Sequence, residues 1–245
     1  MKTAGPIRIG TSGWHYGHWR GPFYPDDLGP EKFLEFYAGR FHTVEINNSF
    51  YQLPTERALS TWRDTVPPDF SFAVKGSRFI THMKKLADPE RSLAPFLGRV
   101  TLLKDKLGPI LFQLPPHWHF NAARLAAFLT ALPGTCRYTL ELRDVSWIND
   151  RTFDLLARYG VAFCIYELAG YLSPQVATAN FVYIRLHGPD GPYQGRYATQ
   201  TLAEWAEAIS AWSRQGREVF CYFDNDEAGF AAQNALELQE MIVRG

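Results

Sequence analysis

Charge of either sign is in no excess. Lys and Arg number 25, Asp and Glu number 25, and the formal net charge is zero. That balance argues against a broad electrostatic footprint for duplex DNA or an anionic membrane, while leaving room for a local basic pocket. Cysteine is scarce: Cys136, Cys164 and Cys221 are odd in number, far apart and set in apolar stretches, with no metal-binding CxxC pair. They read as buried thiols in a reducing compartment. No apolar run reaches the ~18 residues of a membrane-spanning helix. The N-terminal MKTAGPIRIG has no signal-peptide core, so the expected location is cytoplasmic. No GxGxxG follows the first strand pattern, no HExxH occurs, Ser12 has no GxSxG context, and no cysteine lies beside a histidine in sequence. Dinucleotide folds, zincin-type metal sites and nucleophile elbows are therefore disfavoured.

What is present is a repeated alternation of short apolar strands and amphipathic helices. Strand patterns occur at Ile7–Thr11, Thr43–Asn47, Phe70–Lys75, Ile110–Leu114, Tyr138 onward, Val161–Tyr166, Phe181–Leu186 and Glu218–Phe223. Helical spacing follows at 31–39, from Thr55 through Trp62, from a Ser92 cap to about Leu107 with a break near Pro95, from an Asn121 cap through Leu132, from Asn149 or Asp150 to Gly160, at Thr199–Gln215 and at Glu227–Val243. The segment after the sixth strand is weakly patterned and predicts a short helix at best. Eight such units in 245 residues, with no composition break, predict an α/β fold: a closed parallel (β/α)8 TIM barrel as one domain over 1–245.

The stretch Tyr138–Trp147 shows where to look for function. Leu140 and Leu142 alternate with Thr139, Glu141 and Arg143, so the polar residues share one strand face. In a parallel sheet covered on both sides, those charges need partners. Barrel active sites lie at the C-terminal ends of the strands. Those ends carry Glu45 and Asn47; Lys75, with Arg78, Thr81 and His82 behind it; Gln113; Glu141, Arg143 and Asp144; Arg185 and His187; and Asp224, Asn225 and Asp226. For any one of them a structural ion pair is the commoner case, but so many charges from different strands point to a site. The N-terminal ends are plainer. The loops after strands one, three and seven are long, and those after one and seven are rich in aromatics, among them Trp14, Tyr16, Trp19, Tyr193 and Tyr197; they read as a cover for the barrel top or as walls for a ligand.

The motifs IGTSGW at 9–14, VEINNSFYQLP at 44–54, FAVKGSRFITH at 72–82, LFQLPP at 111–116, LELRDVSW at 140–147, YIRLHG at 183–188 and YFDND at 222–226 closely resemble those of the YecE-like family, a family of unknown function. The resemblance spans nearly the whole chain. It implies a single-domain TIM barrel and no activity.

Three functions follow from the residues. The first is an enzyme (a hydrolase, lyase or isomerase) acting on a small anionic or phosphorylated substrate at the barrel mouth. Glu45 or Glu141 would be its base or acid, with His187 as partner. Lys75, Arg78 and the two arginines Arg143 and Arg185 would hold the anion, with Asn47, His82, Gln113, Asp144, Tyr197, Asp224 and Asn225 around it. The second is a divalent-metal enzyme with ligands from Glu45, Glu141, His187 and Asp224 or Asp226, although the neighbouring cations would repel a metal. The third is a non-catalytic module that stacks a nucleotide or a short single-stranded nucleic acid. No cofactor is named by the residues, and no membrane partner is expected.

Overall fold

A computed structural model describes residues 3–244; Met1, Lys2 and Gly245, which fall within the N-terminal reading and the domain limits above, lie outside the described residues. The strands are β1 (Ile7–Thr11), β2 (Thr43–Ile46), β3 (Ser71–Lys75), β4 (Leu107–Leu114), β5 (Tyr138–Leu142), β6 (Ala162–Leu168), β7 (Tyr171–Leu172), β8 (Phe181–Leu186) and β9 (Glu218–Phe223). All but β7 run parallel, in the order β1-β9-β8-β6-β5-β4-β3-β2. The barrel is nearly closed. Between β1 and β2 a single parallel bridge, Ser12 with Glu45, joins the ends of the sheet.

The seam is explained by two residues. A Cβ on Gly10 would fall 2.3 Å from the Thr43 carbonyl oxygen, so only glycine lets β1 approach β2 there. The Tyr37 hydroxyl, from α1 (Phe33–Ala38), sits between the strands: it accepts from the Thr11 amide at 2.9 Å and donates to the Thr43 carbonyl at 3.1 Å. One side chain thus replaces ladder bonds that the seam lacks.

The period of two sorts the strand residues into two cores. Ala73, Leu111, Ala162, Cys164, Tyr166, Phe181, Tyr183, Phe220 and Tyr222 fill the barrel. Their strand neighbours, such as Phe72, Ile110, Leu140, Ile165 and Ile184, pack outward against the helices. The remaining helices are α2 (Glu56–Thr65), α3 (Pro89–Val100), α4 (Ala122–Thr130), α5 (Asp150–Arg158), α6 (Thr199–Arg214) and α7 (Phe230–Arg244). Thr55, Asn121 and Asn149 cap α2, α4 and α5 by accepting the amides of Ala58, Arg124 and Thr152.

Four sequence expectations are corrected. No helix joins β6 to β8. Ala169 and Gly170, both at positive φ, turn the chain into the antiparallel strand β7, and an extended run returns it. Seven helices therefore surround eight barrel strands among the described residues. The helix expected to begin at Ser92 begins at Pro89, where a missing amide costs nothing, and Ser92 lies inside it, bonded to the Pro89 carbonyl at 3.2 Å. Pro95 does not break it, because Pro95 and Arg91 are exposed and water can serve the freed Arg91 carbonyl. Of the three thiols, Cys164 and Cys221 are buried, but Cys136 is only half-buried. No helix among the described residues is long and apolar enough to cross a membrane.

Candidate functional site

Arg185 is the centre of the C-terminal end of the barrel. It leaves β8 on the interior face and is wholly buried. Its Nη2 donates to Glu45 Oε1 at 2.8 Å and Asp224 Oδ2 at 2.9 Å, and its Nη1 to Glu141 Oε2 at 2.8 Å. Three carboxylates from three other strand ends thus share one guanidinium, whose planar fork suits that arrangement. Glu45 is further bound by the Ser12 hydroxyl, and by the Tyr183 hydroxyl at 2.6 Å. Ser12 and Tyr183 were not singled out from sequence. Tyr183 could have been: it lies two residues before Arg185, on the same strand face.

The second arginine, Arg143, donates its Nε to Glu141 Oε1 and lies 5.2 Å from the centre of the Tyr166 ring. Burial would raise the Glu141 pKa, but the Arg143 and Arg185 guanidiniums outweigh it and hold the carboxyl well below the usual range. Burial likewise opposes ionisation of Asp224, and Arg185, His187 and Lys75 hold it low. His187 Nε2 faces two donors, Arg143 Nη2 at 3.1 Å and Arg185 Nη1 at 3.2 Å. It must accept, which puts the ring proton on Nδ1. Nδ1 lies 3.0 Å from Asp224 Oδ2 but out of line, and makes no well-formed hydrogen bond. The structure therefore seals Glu45, Glu141 and His187 beneath the mouth at 0% exposure, with their lone pairs committed to neighbours. Cys164 lies beside Glu141, and burial together with that carboxylate pushes its thiol well up, away from nucleophile chemistry.

Lys75, at the end of β3, differs from its neighbours. It is 7% exposed, and its Nζ makes no hydrogen bond or ion pair among the described residues; it stands 4.7 Å from the centre of the Phe50 ring. Burial, with repulsion from Arg185, lowers its pKa to about 8 against the pull of Glu141, Asp224 and Glu45. His82 is half-buried, packs edge-on against Phe50 and bonds the Thr81 hydroxyl at 2.9 Å. Its pKa is lowered by burial and then by Lys75, Arg78 and Arg143. Arg78 is exposed, 5.7 Å from the centre of the Tyr51 ring. Gln113 pairs in register with Glu141. Asn47 opens the turn after β2 and lines a cavity of about 390 Å³ with Gly13, Trp14, His15, Tyr16, Asn48 and Trp62.

Three expected residues serve the scaffold instead. Asp144 turns away from the mouth and caps the turn at Val145–Trp147, accepting from the Ser146 amide at 3.0 Å and the Ser146 hydroxyl at 2.6 Å. Tyr197 is buried, its hydroxyl accepting the Gly188 amide at 2.9 Å. Asn225 donates to the Gly195 carbonyl at 2.8 Å and to Asn234 at 3.0 Å, tying down the loop after β8. In the loop after β1, Trp19 and Tyr24 are core residues, while Trp14, also buried, lines the cavity beside Asn47. The sequence was expected to hold no HxH spacing, yet His117-Trp118-His119 is one; its exposed His119 has Nδ1 3.4 Å from Asp144 Oδ1.

Two more residues named from the sequence, Tyr193 and Asp226, stand near the same charges. Tyr193 packs edge-on over His187 with ring centres 5.5 Å apart, at φ +67°, uncommon for a bulky side chain. Burial and then Asp224 push the Asp226 carboxyl up to about 6. The β6–β7 hairpin, whose sequence offered little, lines a hollow of about 250 Å³ with Arg143, Val145, Tyr166, Leu168 and Tyr171. For a metal, the fit is poor: Arg185 holds the centre that Glu45, Glu141 and Asp224 would offer a cation.

A family model described as "Protein of unknown function DUF72" matches residues 8–244. The UPF0759 protein YunF of Bacillus subtilis (strain 168) is 26% identical, over 96% of this chain and 94% of its own. A crystal structure of a DUF72 family protein from Thermotoga maritima MSB8 superposes with a TM-score of 0.88 at 28% identity, covering 97% of this chain and 99% of that one. One from Enterococcus faecalis V583 gives a TM-score of 0.83 at 22% identity over 97% and 95%, a likeness of fold.

Proposed function

We propose, from the premise that this chain belongs to the DUF72 family, whose description carries no activity, that it is an enzyme acting on a small anionic substrate at the C-terminal mouth of its barrel. One observation carries the reading. Glu45, Glu141 and Asp224 are already matched by Arg185 and Arg143, which leaves Lys75 buried without an ion-pair partner among the described residues. A buried ammonium is costly unless something pairs with it, and an anionic ligand would. Arg78 and Arg143 stand near the same position, and with Lys75 each lowers the His82 pKa after burial does. Glu141 then acts through the arginines it positions. Asp226, with its carboxyl near 6, is suited to exchange protons at neutral pH, as hydrolase, lyase or isomerase chemistry requires.

The test is calorimetric titration with inorganic phosphate and with a small carboxylate at low ionic strength. The reading expects one saturable site, weakened by salt and by about tenfold or more in Lys75→Met. Absence of saturable binding of either anion would sink it.

A second reading rests on the rim. Tyr51 and Phe79 are 73% and 44% exposed, with Arg78 and Lys84 at 5.7 and 5.8 Å from their ring centres. Such a surface could stack a nucleotide or a short single strand. Binding of single-stranded oligonucleotides that is lost in Tyr51→Ala but kept in Lys75→Met would favour it.

A further inference from the structure

We propose that Lys75 is an imine-forming amine for a small anionic aldehyde or ketone, its Nζ standing buried, unpaired and open to the barrel mouth. The proposal rests on the anionic-substrate reading and names the substrate's reacting group.

The chain contains a control for what a buried lysine ordinarily does. Lys106 is as buried as Lys75, 6% against 7% exposed, but its Nζ donates to the Pro67 carbonyl. Lys75 has no such acceptor. Nor is it sealed: among the described residues the solvent-inaccessible side-chain nitrogens and oxygens that lack partners are Trp19 Nε1, Thr139 Oγ1, His187 Nδ1 and Asn225 Oδ1, and Lys75 Nζ is not one of them. The amine therefore retains a path to solvent while its stem is held against Phe50. An unpaired amine in such surroundings is the arrangement that activates a lysine toward carbonyl carbon. Its lowered pKa of about 8 means that at neutral pH it holds on the order of 200-fold more free amine than an ordinary exposed lysine.

The step balances without a further reagent. The Nζ lone pair forms a bond to the carbonyl carbon as the C=O π pair moves to oxygen. One proton passes from nitrogen to that oxygen, giving a carbinolamine. The C–O bond then breaks, and the oxygen leaves as water with the second amine proton, leaving C=N. The substrate's anionic group would seat on Arg78 and the exposed edge of Arg143. The charged and titratable groups around Lys75 are Arg185, Glu141, Asp224, Glu45 and His82; the carboxylates are paired with Arg185, and their pull toward the ammonium is outweighed by burial and by Arg185.

The experiment treats the full chain with glyoxylate or pyruvate in the presence of cyanoborohydride, which reduces an imine to a stable secondary amine, and maps the modified lysine by peptide mass spectrometry. In parallel, acetaldehyde serves as a neutral carbonyl, and phosphate as a competitor. The expected result is modification concentrated at Lys75, rising as pH approaches about 8, suppressed by phosphate and lost in Lys75→Met with its circular dichroism unchanged. Label spread over the exposed Lys32, Lys85 and Lys104 and the half-buried Lys84, or none at Lys75, overturns the proposal; if phosphate still binds, the anionic-substrate reading survives it. Equal labelling of Lys75 by acetaldehyde, with no effect of phosphate, keeps the nucleophile and overturns the anionic substrate.

Discussion

The two ends of the barrel are both closed by arginine–carboxylate contacts, yet they are built on opposite terms with water. At the N-terminal end Glu218 is shared by Arg8, at 2.7 Å, and by Arg137, whose guanidinium lies 5.0 Å from the centre of the Phe220 ring. These side chains keep 23%, 19% and 39% exposure for Arg8, Glu218 and Arg137. At the C-terminal end Arg185 and its three carboxylates are at 0–7%. A half-wet pair gives up little hydration and gains little; a sealed cluster is stable only while every member keeps its partner. The first plugs a barrel. The second fixes a set of charges so firmly that one cation, Lys75, can stand unmatched beside it.

The comparison can be broken in order of effect. Arg185→Met leaves Glu45, Glu141 and Asp224 buried without their shared cation, and a loss of about 3–5 kcal/mol in urea unfolding is expected. A loss under ~1 kcal/mol would mean that water enters the cluster.

The next largest effect is on pH. Glu141 and Asp224 have folded pKa values below the unfolded carboxyl range of roughly 4, so their stabilisation is full above that range and is lost as pH falls through the folded values. Denaturation midpoints should therefore drop steeply below about pH 4, and Glu141→Gln should flatten the slope. An equally steep slope in that variant would place the acid sensitivity elsewhere.

Smallest is Glu218→Gln at the other end. It should cost at most about 1 kcal/mol, and the difference from wild type should shrink further in high salt. A cost equal to that of Arg185→Met would erase the contrast.

Much of the fold was legible because strand period and helix caps are local. Ile7–Thr11, Phe181–Leu186 and Glu218–Phe223 carry their limits in the sequence, and Asn121 and Asn149 cap as their side chains allow. The unit after β6 was not legible, since its short hairpin depends on positive φ at Ala169, a residue whose type gives no warning of it. The start of α3 carried a signal in Asp88-Pro89, but Ser92 offered a competing cap. Within the site, the interior positions of Glu45, Glu141, Arg185 and His187 followed from alternation. Asp144, Tyr197 and Asn225 looked alike in sequence, yet their side chains close loops through bonds to the Ser146 and Gly188 amides and the Gly195 carbonyl. The N-terminal end, expected to be the plainer one, holds a charge cluster of its own, because Arg8, Arg137 and Glu218 come together from distant segments.

The sequence by itself determined a parallel barrel and a polar face at its C-terminal end, because a period of two assigns each strand residue to a side whatever its neighbours are. Only the tertiary structure decided which charges cancel. Arg185 and Lys75 are both cations at strand ends, and no local rule separates them. Register and closure gave three carboxylates to Arg185 and none to Lys75, and that unequal division is where the candidate chemistry lies.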